Sequence, residues 1–122
     1  MILKIYSKAT TRLLNISKHN IGKILKKFNL KSINVKEFLE EEHNHFKQKA
    51  AANNARATIE FDFEKTTMLR TDPERLSQIL DNLWNNALKY GDLAHPIHTS
   101  LYTENHVIHI KISNHLRFNF IY

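Results

Sequence analysis

Cysteine is absent from the 122 residues, which excludes disulfides, thiolate metal sites and a thiol nucleophile. That fits a reducing, intracellular compartment, and the chain reads as cytoplasmic. No apolar run approaches the roughly 20 residues that a spanning helix needs, and MILKIYSKATTRLL lacks the apolar stretch and cleavage site of a secretory signal. No membrane segment is expected in this chain. Glycine occurs only at Gly22 and Gly91. After Gly91, therefore, no glycine-rich loop can be built to wrap phosphates with backbone N–H groups. Acidic residues are missing from the first 36 positions, where nine basic ones stand: Lys4, Lys8, Arg12, Lys18, Lys23, Lys26, Lys27, Lys31 and Lys36. From Glu37 onward nine basic residues oppose twelve acidic ones, so the net charge of +6 belongs to the N-terminal arm. Such an arm suits an anionic partner or forms a solvated helix face.

What remains is ordinary for one small globular domain: 42% apolar and 25% charged residues. Over residues 8–28, Leu13, Leu14, Ile21, Ile24, Leu25 and Phe28 fall at helical spacing with lysines between them, which predicts a basic amphipathic helix. Residues 29–34 break the pattern. A second helix is expected over 35–55, with Phe38, Leu39 and Phe46 on its apolar side and glutamates in its first turns, where the helix dipole favours them. The period then changes. Thr58-Ile59-Glu60-Phe61-Asp62-Phe63-Glu64 alternates as a half-buried strand does. Asp72-Pro73 is a helix start, because aspartate caps free N–H groups and proline at the first position sacrifices none. The helix over 74–90 ends at Gly91, read as a C-terminal glycine cap. Strands follow over 97–103 and 106–113, joined by a tight turn at Glu104-Asn105. The order predicts an α/β fold with helices on one face of a mixed sheet. It divides into an N-terminal helical segment (1–30), the α/β part (31–116) and an apolar tail (117–122).

On the helix over 74–90, Leu76, Ile79, Leu80, Leu83, Ala87 and Tyr90 fall in one arc, the expected core face. Asn82, Asn86 and Lys89 form a stripe on its flank. Asparagine is a mediocre helix former, and three of them within five positions (Asn82, Asn85, Asn86) disfavour the helix. They either satisfy local backbone groups or serve a ligand. Amide oxygens can ligate Mg²⁺ and lysine can neutralise phosphate.

The run Asp72-Pro73-Glu74-Arg75-Leu76-Ser77-Gln78-Ile79-Leu80, with Asn82-Leu83, Asn86-Ala87 and Lys89-Tyr90, closely resembles the N-box of bacterial sensor histidine kinases. That box opens an ATP-binding domain of the type shared with gyrase and Hsp90. The resemblance spans roughly residues 8–114 and is strong over 72–91. It implies an α/β sandwich of the histidine-kinase ATPase type, with ATP and Mg²⁺ as cofactors. Asn86 would coordinate the Mg²⁺ that bridges the phosphates, Asn82 and Lys89 would approach the phosphates, and Tyr90 would line the base or sugar pocket. It further implies transfer of the γ-phosphoryl group to a histidine and then to a response regulator, often from a membrane-anchored relative.

Three departures bear on activity. None of the eight histidines has the acid-then-apolar context of the phospho-accepting box. The family's Asp-x-Gly-x-Gly turn is replaced by Asn114-His115-Leu116, where Asn114 can still accept one hydrogen bond from an adenine amine. The glycines of the ATP lid are missing. The chain is thus expected to be a truncated partial ATP-binding domain without catalytic competence of its own, its last strand left at an exposed edge. The competing reading is a non-catalytic interaction module, pairing with itself or a kinase hairpin through the N-terminal helix. Nucleic acid is not expected, since residues 1–36 offer only Tyr6 and Phe28 for base stacking. His43-x-His45, His95-x₂-His98 and His106-x₂-His109 lack four convergent ligands for zinc and read as surface histidines.

Overall fold

The computed structural model describes residues 2–7, 13–15 and 29–115. Its elements in chain order are β1 (Ile2–Ser7), β2 (Leu13–Asn15), β3 (Lys31–Asn34), α1 (Val35–Ala52), β4 (Ala57–Asp62), β5 (Met68–Thr71), α2 (Pro73–Tyr90), β6 (Ile97–Glu104) and β7 (Val107–Ser113). The class is mixed α/β. Five strands form one mixed sheet in the order β2-β1-β7-β6-β4, and β3 pairs with β5 in a separate antiparallel ribbon. That ribbon matters because β3 runs directly into α1 and β5 into α2. Because the pairing is antiparallel, with Asn34 opposite Met68 and Lys31 opposite Thr71, the two helices start from opposite ends of the ribbon.

Register puts alternate residues on one face: Ala57, Ile59 and Phe61 of β4 lie beside Ile97, Thr99 and Leu101 of β6. Ile112 and Ile110 of β7 continue the rows beside Thr99 and Leu101, and Ile5 of β1 sits next to Ile110. Of these side chains only Ile59 and Phe61 keep partial exposure. Both helices cover this face. In α1 the buried positions are Val35, Leu39, His43, Phe46 and Ala50, and in α2 they are Leu76, Leu80, Leu83, Trp84 and Ala87. Phe46 and Trp84 stack at 5.2 Å where the helices meet, and the Trp84 indole N–H donates to Thr99 Oγ1 at 2.9 Å, tying α2 to the sheet.

Several expectations are revised. Of residues 8–28, read as a helix, only 13–15 are described, and they form a strand. Ile5 opposite Leu14 and Tyr6 opposite Leu13 pair β1 and β2 antiparallel, so backbone pairing prevails over the helical spacing of the leucines. The rest of that segment, and the tail over 117–122, lie outside the described residues. Strand β7 is not at an edge. It is flanked by β6 on one side and by β1, in parallel, on the other. The hairpin turn sits one residue later than expected: Asn105 and His106 have φ of 51° and 62°, the left-handed pair that a two-residue type I′ turn requires. His43 and His109, read as surface residues, are 3% and 9% exposed. Spacing explains His43, which falls on the Leu39–Phe46–Ala50 stripe of α1. Among the described residues, no helix is long and apolar enough to cross a membrane.

Candidate functional site

The site grows from the two ends of α2. At its start Asp72 is the N-cap and accepts from the Glu74 N–H at 3.0 Å and the Arg75 N–H at 3.2 Å. Its second oxygen accepts the Asn29 N–H at 3.0 Å, anchoring the incoming chain. That bond from Asn29, helped by the helix N–H groups and Arg75, holds the carboxyl below its ordinary pKa against the opposing effect of burial.

At the other end, the helix terminates at Gly91 for a reason the sequence reading did not supply. Gly91 has φ −81° and ψ 155°, an extended conformation open to any residue. Its requirement is space. A Cβ there would stand 2.5 Å from the Ala87 carbonyl oxygen and 3.0 Å from Asn114 Nδ2. The glycine cap is replaced by a close crossing of the helix end over the end of β7.

Asn114 occupies that crossing. It is 6% exposed, and its Nδ2 donates to the Ala87 carbonyl at 3.2 Å. The amide is thereby oriented, and its Oδ1 is buried with no hydrogen-bond partner. An unmatched buried acceptor costs on the order of 1–3 kcal/mol, so a donor arriving from a ligand would be favoured. Asn86, adjacent to Ala87 in sequence, is half-buried, as are Ile79 and Tyr90, while Asn82 and Lys89 are exposed. The core arc is therefore shifted from the expected one. Trp84 belongs to the core, and Ile79 and Tyr90 are left at its margin, on the same flank as Asn86. Lys89 Nζ stands 5.1 Å from the Tyr90 ring centroid, within cation–π range. Lys89 also lines a cleft of about 400 Å³ with Lys49, Asn53, Asn85, Leu88 and Leu93. There Lys49 donates to Asn85 Oδ1 at 2.8 Å, so Asn85 is engaged in helix–helix contact rather than in the stripe.

Sequence reasoning missed a second wall. His95 and His115 stack with centroids 3.9 Å apart, and Asp92 Oδ2 lies 3.3 Å from His95 Nδ1. The Asp92 N–H donates to the His115 carbonyl at 2.5 Å, which closes the loop beside Asn114. The Ala94 N–H holds the Asp92 carboxyl below its ordinary pKa, burial opposes it, and His95 and His115 add to the lowering. The only sequence signal was two histidines adjacent to motif positions. Among the described residues no group of three His, Cys, Asp or Glu side chains could hold a metal. A divalent cation here would have to arrive with its own phosphate ligands, with Asn86 supplying an amide oxygen.

Compared with family models and with curated proteins, the chain matches none.

Proposed function

We propose that this chain carries the base-side and helix-borne half of an ATP site of the sensor histidine kinase type, an α/β-sandwich ATPase domain of cytoplasmic two-component signalling. The observation that carries the reading is Asn114. Its Nδ2 is committed to the Ala87 carbonyl, and its buried Oδ1 is left as a lone acceptor. The 6-amino group of adenine is a donor suited to that acceptor, whereas the 6-oxo group of guanine or hypoxanthine presents a second acceptor. Support also comes from the N-box residues around the same helix end. Asn86 is available to an Mg²⁺ ion carried on the phosphates, Asn82 and Lys89 are exposed for phosphate contact, and Tyr90, half-exposed, would line the base or sugar pocket as the resemblance implies. Bound Mg²⁺ would supply charge neutralisation for the phosphates. Lys89 adds to it. No step of phosphoryl transfer is assigned to this chain, whose sequence has no phospho-accepting histidine box and no glycine after Gly91. In the intact family the downstream partner is a response regulator.

The test is thermal unfolding with and without Mg-ATP. Saturation at 100 times Kd should add about 2.7 kcal/mol of stability. ITP should give a smaller shift than ATP, and Asn114→Leu or Asn86→Ala should abolish the ATP shift while leaving the fold intact. No shift at millimolar Mg-ATP, or equal shifts with ATP and ITP, would remove the basis for the reading.

A further inference from the structure

The face of the sheet away from the helices carries a pattern that belongs to no nucleotide pocket. Register sets Lys4, His109 and Tyr102 in one row across β1, β7 and β6, and Tyr6, Lys111 and Ser100 in the next. Aromatic rings and cations therefore alternate along β1 and β7. The rings are organised: Tyr102 and His109 stack at 4.6 Å with planes 2° apart, and Tyr6 and His109 at 5.8 Å with planes 10° apart. The Tyr6 hydroxyl lies 3.2 Å from His109 Nδ1, which fixes the tyrosine ring. His109 is the buried middle of this stack, and Tyr6 and Tyr102 are the half-exposed ends. His109 stacks on both tyrosines, and each tyrosine keeps partial exposure. Lys111 Nζ stands 5.4 Å from the Tyr102 centroid, so a phosphate attached to a base on that ring would meet an ammonium group. Among the described residues neither Lys4 nor Lys111 is ion-paired with a carboxylate.

The charge of this face is graded. Lys4 and Lys111 mark the β1/β7 side, and β1 belongs to the 36-residue arm that has nine basic and no acidic residues. Glu60 and Asp62 mark β4, where His98 Nε2 contacts Glu60 Oε1 at 3.3 Å and His98 Nδ1 contacts Thr58 Oγ1 at 2.6 Å. An anionic strand is attracted to one side and repelled from the other. An acidic peptide would use the lysines but has no need of stacked rings, whereas single-stranded nucleic acid uses both, by phosphate neutralisation and base stacking. Read along the chain, residues 1–36 offer no stacking platform. The sheet makes one by bringing Tyr6 next to His109 and Tyr102, more than 90 positions away.

We propose that the face of the sheet opposite α1 and α2, centred on Tyr6, His109 and Tyr102 with Lys4 and Lys111, binds single-stranded nucleic acid. The path runs along β1 and β7, separate from the Asn114 crossing on the other side of the sheet. The test is fluorescence anisotropy of the full chain with labelled oligothymidylate and oligouridylate of about 12 nucleotides, within the usual range of site sizes. Binding should weaken steeply with salt. Lys111→Glu and Lys4→Glu, both on side chains with solvent access, should each lower the salt slope by about 1 or more. Tyr102→Leu should weaken binding about 5- to 100-fold, the loss expected for one stacked base. Asn114→Leu and added Mg-ATP should leave oligonucleotide affinity unchanged, which keeps this proposal separate from the ATP reading. Any of three results overturns it. They are no anisotropy change at low salt, binding that is insensitive to Tyr102→Leu and matched by heparin, or binding to phosphatidylserine vesicles without binding to either oligonucleotide.

Discussion

The bond between Trp84 and Thr99 is the sharpest place to test the packing that positions α2. Both side chains are 0% exposed, and the indole N–H donates to Thr99 Oγ1 at 2.9 Å. Trp84→Phe removes the donor and leaves the threonine oxygen buried without it, at about 1–3 kcal/mol. The smaller ring also leaves a void. At about 24 cal/mol per Å³, a void of roughly 40 Å³ adds about 1 kcal/mol. The single variant should therefore lose about 2–4 kcal/mol. Thr99→Val keeps the volume but orphans the indole N–H, for about 1–3 kcal/mol. The double variant has neither orphaned group and should retain only the void. Its loss should thus fall short of the summed single losses by at least about 1 kcal/mol. Urea unfolding followed by far-ultraviolet circular dichroism is the suitable assay, because Trp84 is the sole tryptophan and its replacement removes the fluorescence signal. Losses that add to within about 0.5 kcal/mol would mean that the hydrogen bond contributes nothing to holding α2 on β6.

Gly91→Ala should destabilise the protein by about 1–3 kcal/mol, because its Cβ would lie 2.5 Å from a backbone oxygen that has little room to move; an unchanged melting temperature would contradict the close crossing. Ile5→Ala, at a residue 0% exposed in β1, should cost about 2–5 kcal/mol in chemical denaturation, and a loss under about 0.5 kcal/mol would show that β1 is not part of the packed sheet. His43 has its pKa pulled below 6.5, first by burial and then by Lys47 and His98, with a Thr58 backbone bond opposing. The unfolded chain then binds the proton more readily than the folded one, so stability is full above about pH 6.5 and declines as pH falls toward the lower folded-state value. The decline for this one group cannot exceed about 1.4 kcal/mol per pH unit. His43→Leu should remove that part of the pH profile, and a profile unchanged between pH 7 and 5 would refute the assignment. Asp72 and Asp92, whose pKa values are lowered, act in the same direction at more acid pH: their contribution is present above the ordinary carboxylate range and lost as pH falls through it. Asp72→Asn should therefore flatten the acid limb of the unfolding profile, and an unaltered limb would dissociate the cap from acid stability.

Local signals account for much of the architecture. Asp72-Pro73 fixed the start of α2 because capping is settled within one turn. The Thr58–Glu64 alternation identified β4, and the Leu39/Phe46 spacing identified α1, since both periods are read within a few residues. The Asn82, Asn86 and Lys89 stripe was legible for the same reason, as was Asn114 at the end of β7. Spacing alone overstated Ile79 and Tyr90 as core and overlooked Trp84, because the azimuth of a helix is set by what it packs against. Here that is Phe46 on α1 and Thr99 on β6.

Local pattern was enough for both helices, for β4, β6 and β7, for the capped helix with its asparagine stripe and for the basic arm free of acids, but not for β3 and β5, whose short strands are defined only by pairing with each other. Tertiary structure alone decided that Ile2–Ser7 lies in parallel beside β7, which moves that strand from the edge to the interior. It also decided that Gly91 answers to a crossing rather than to a left-handed turn, and that one oxygen of Asn114 is left buried and unmatched. The physical reason is common to all three. Each depends on groups brought together from distant parts of the chain, and neither hydrophobic period nor turn chemistry carries information about such partners.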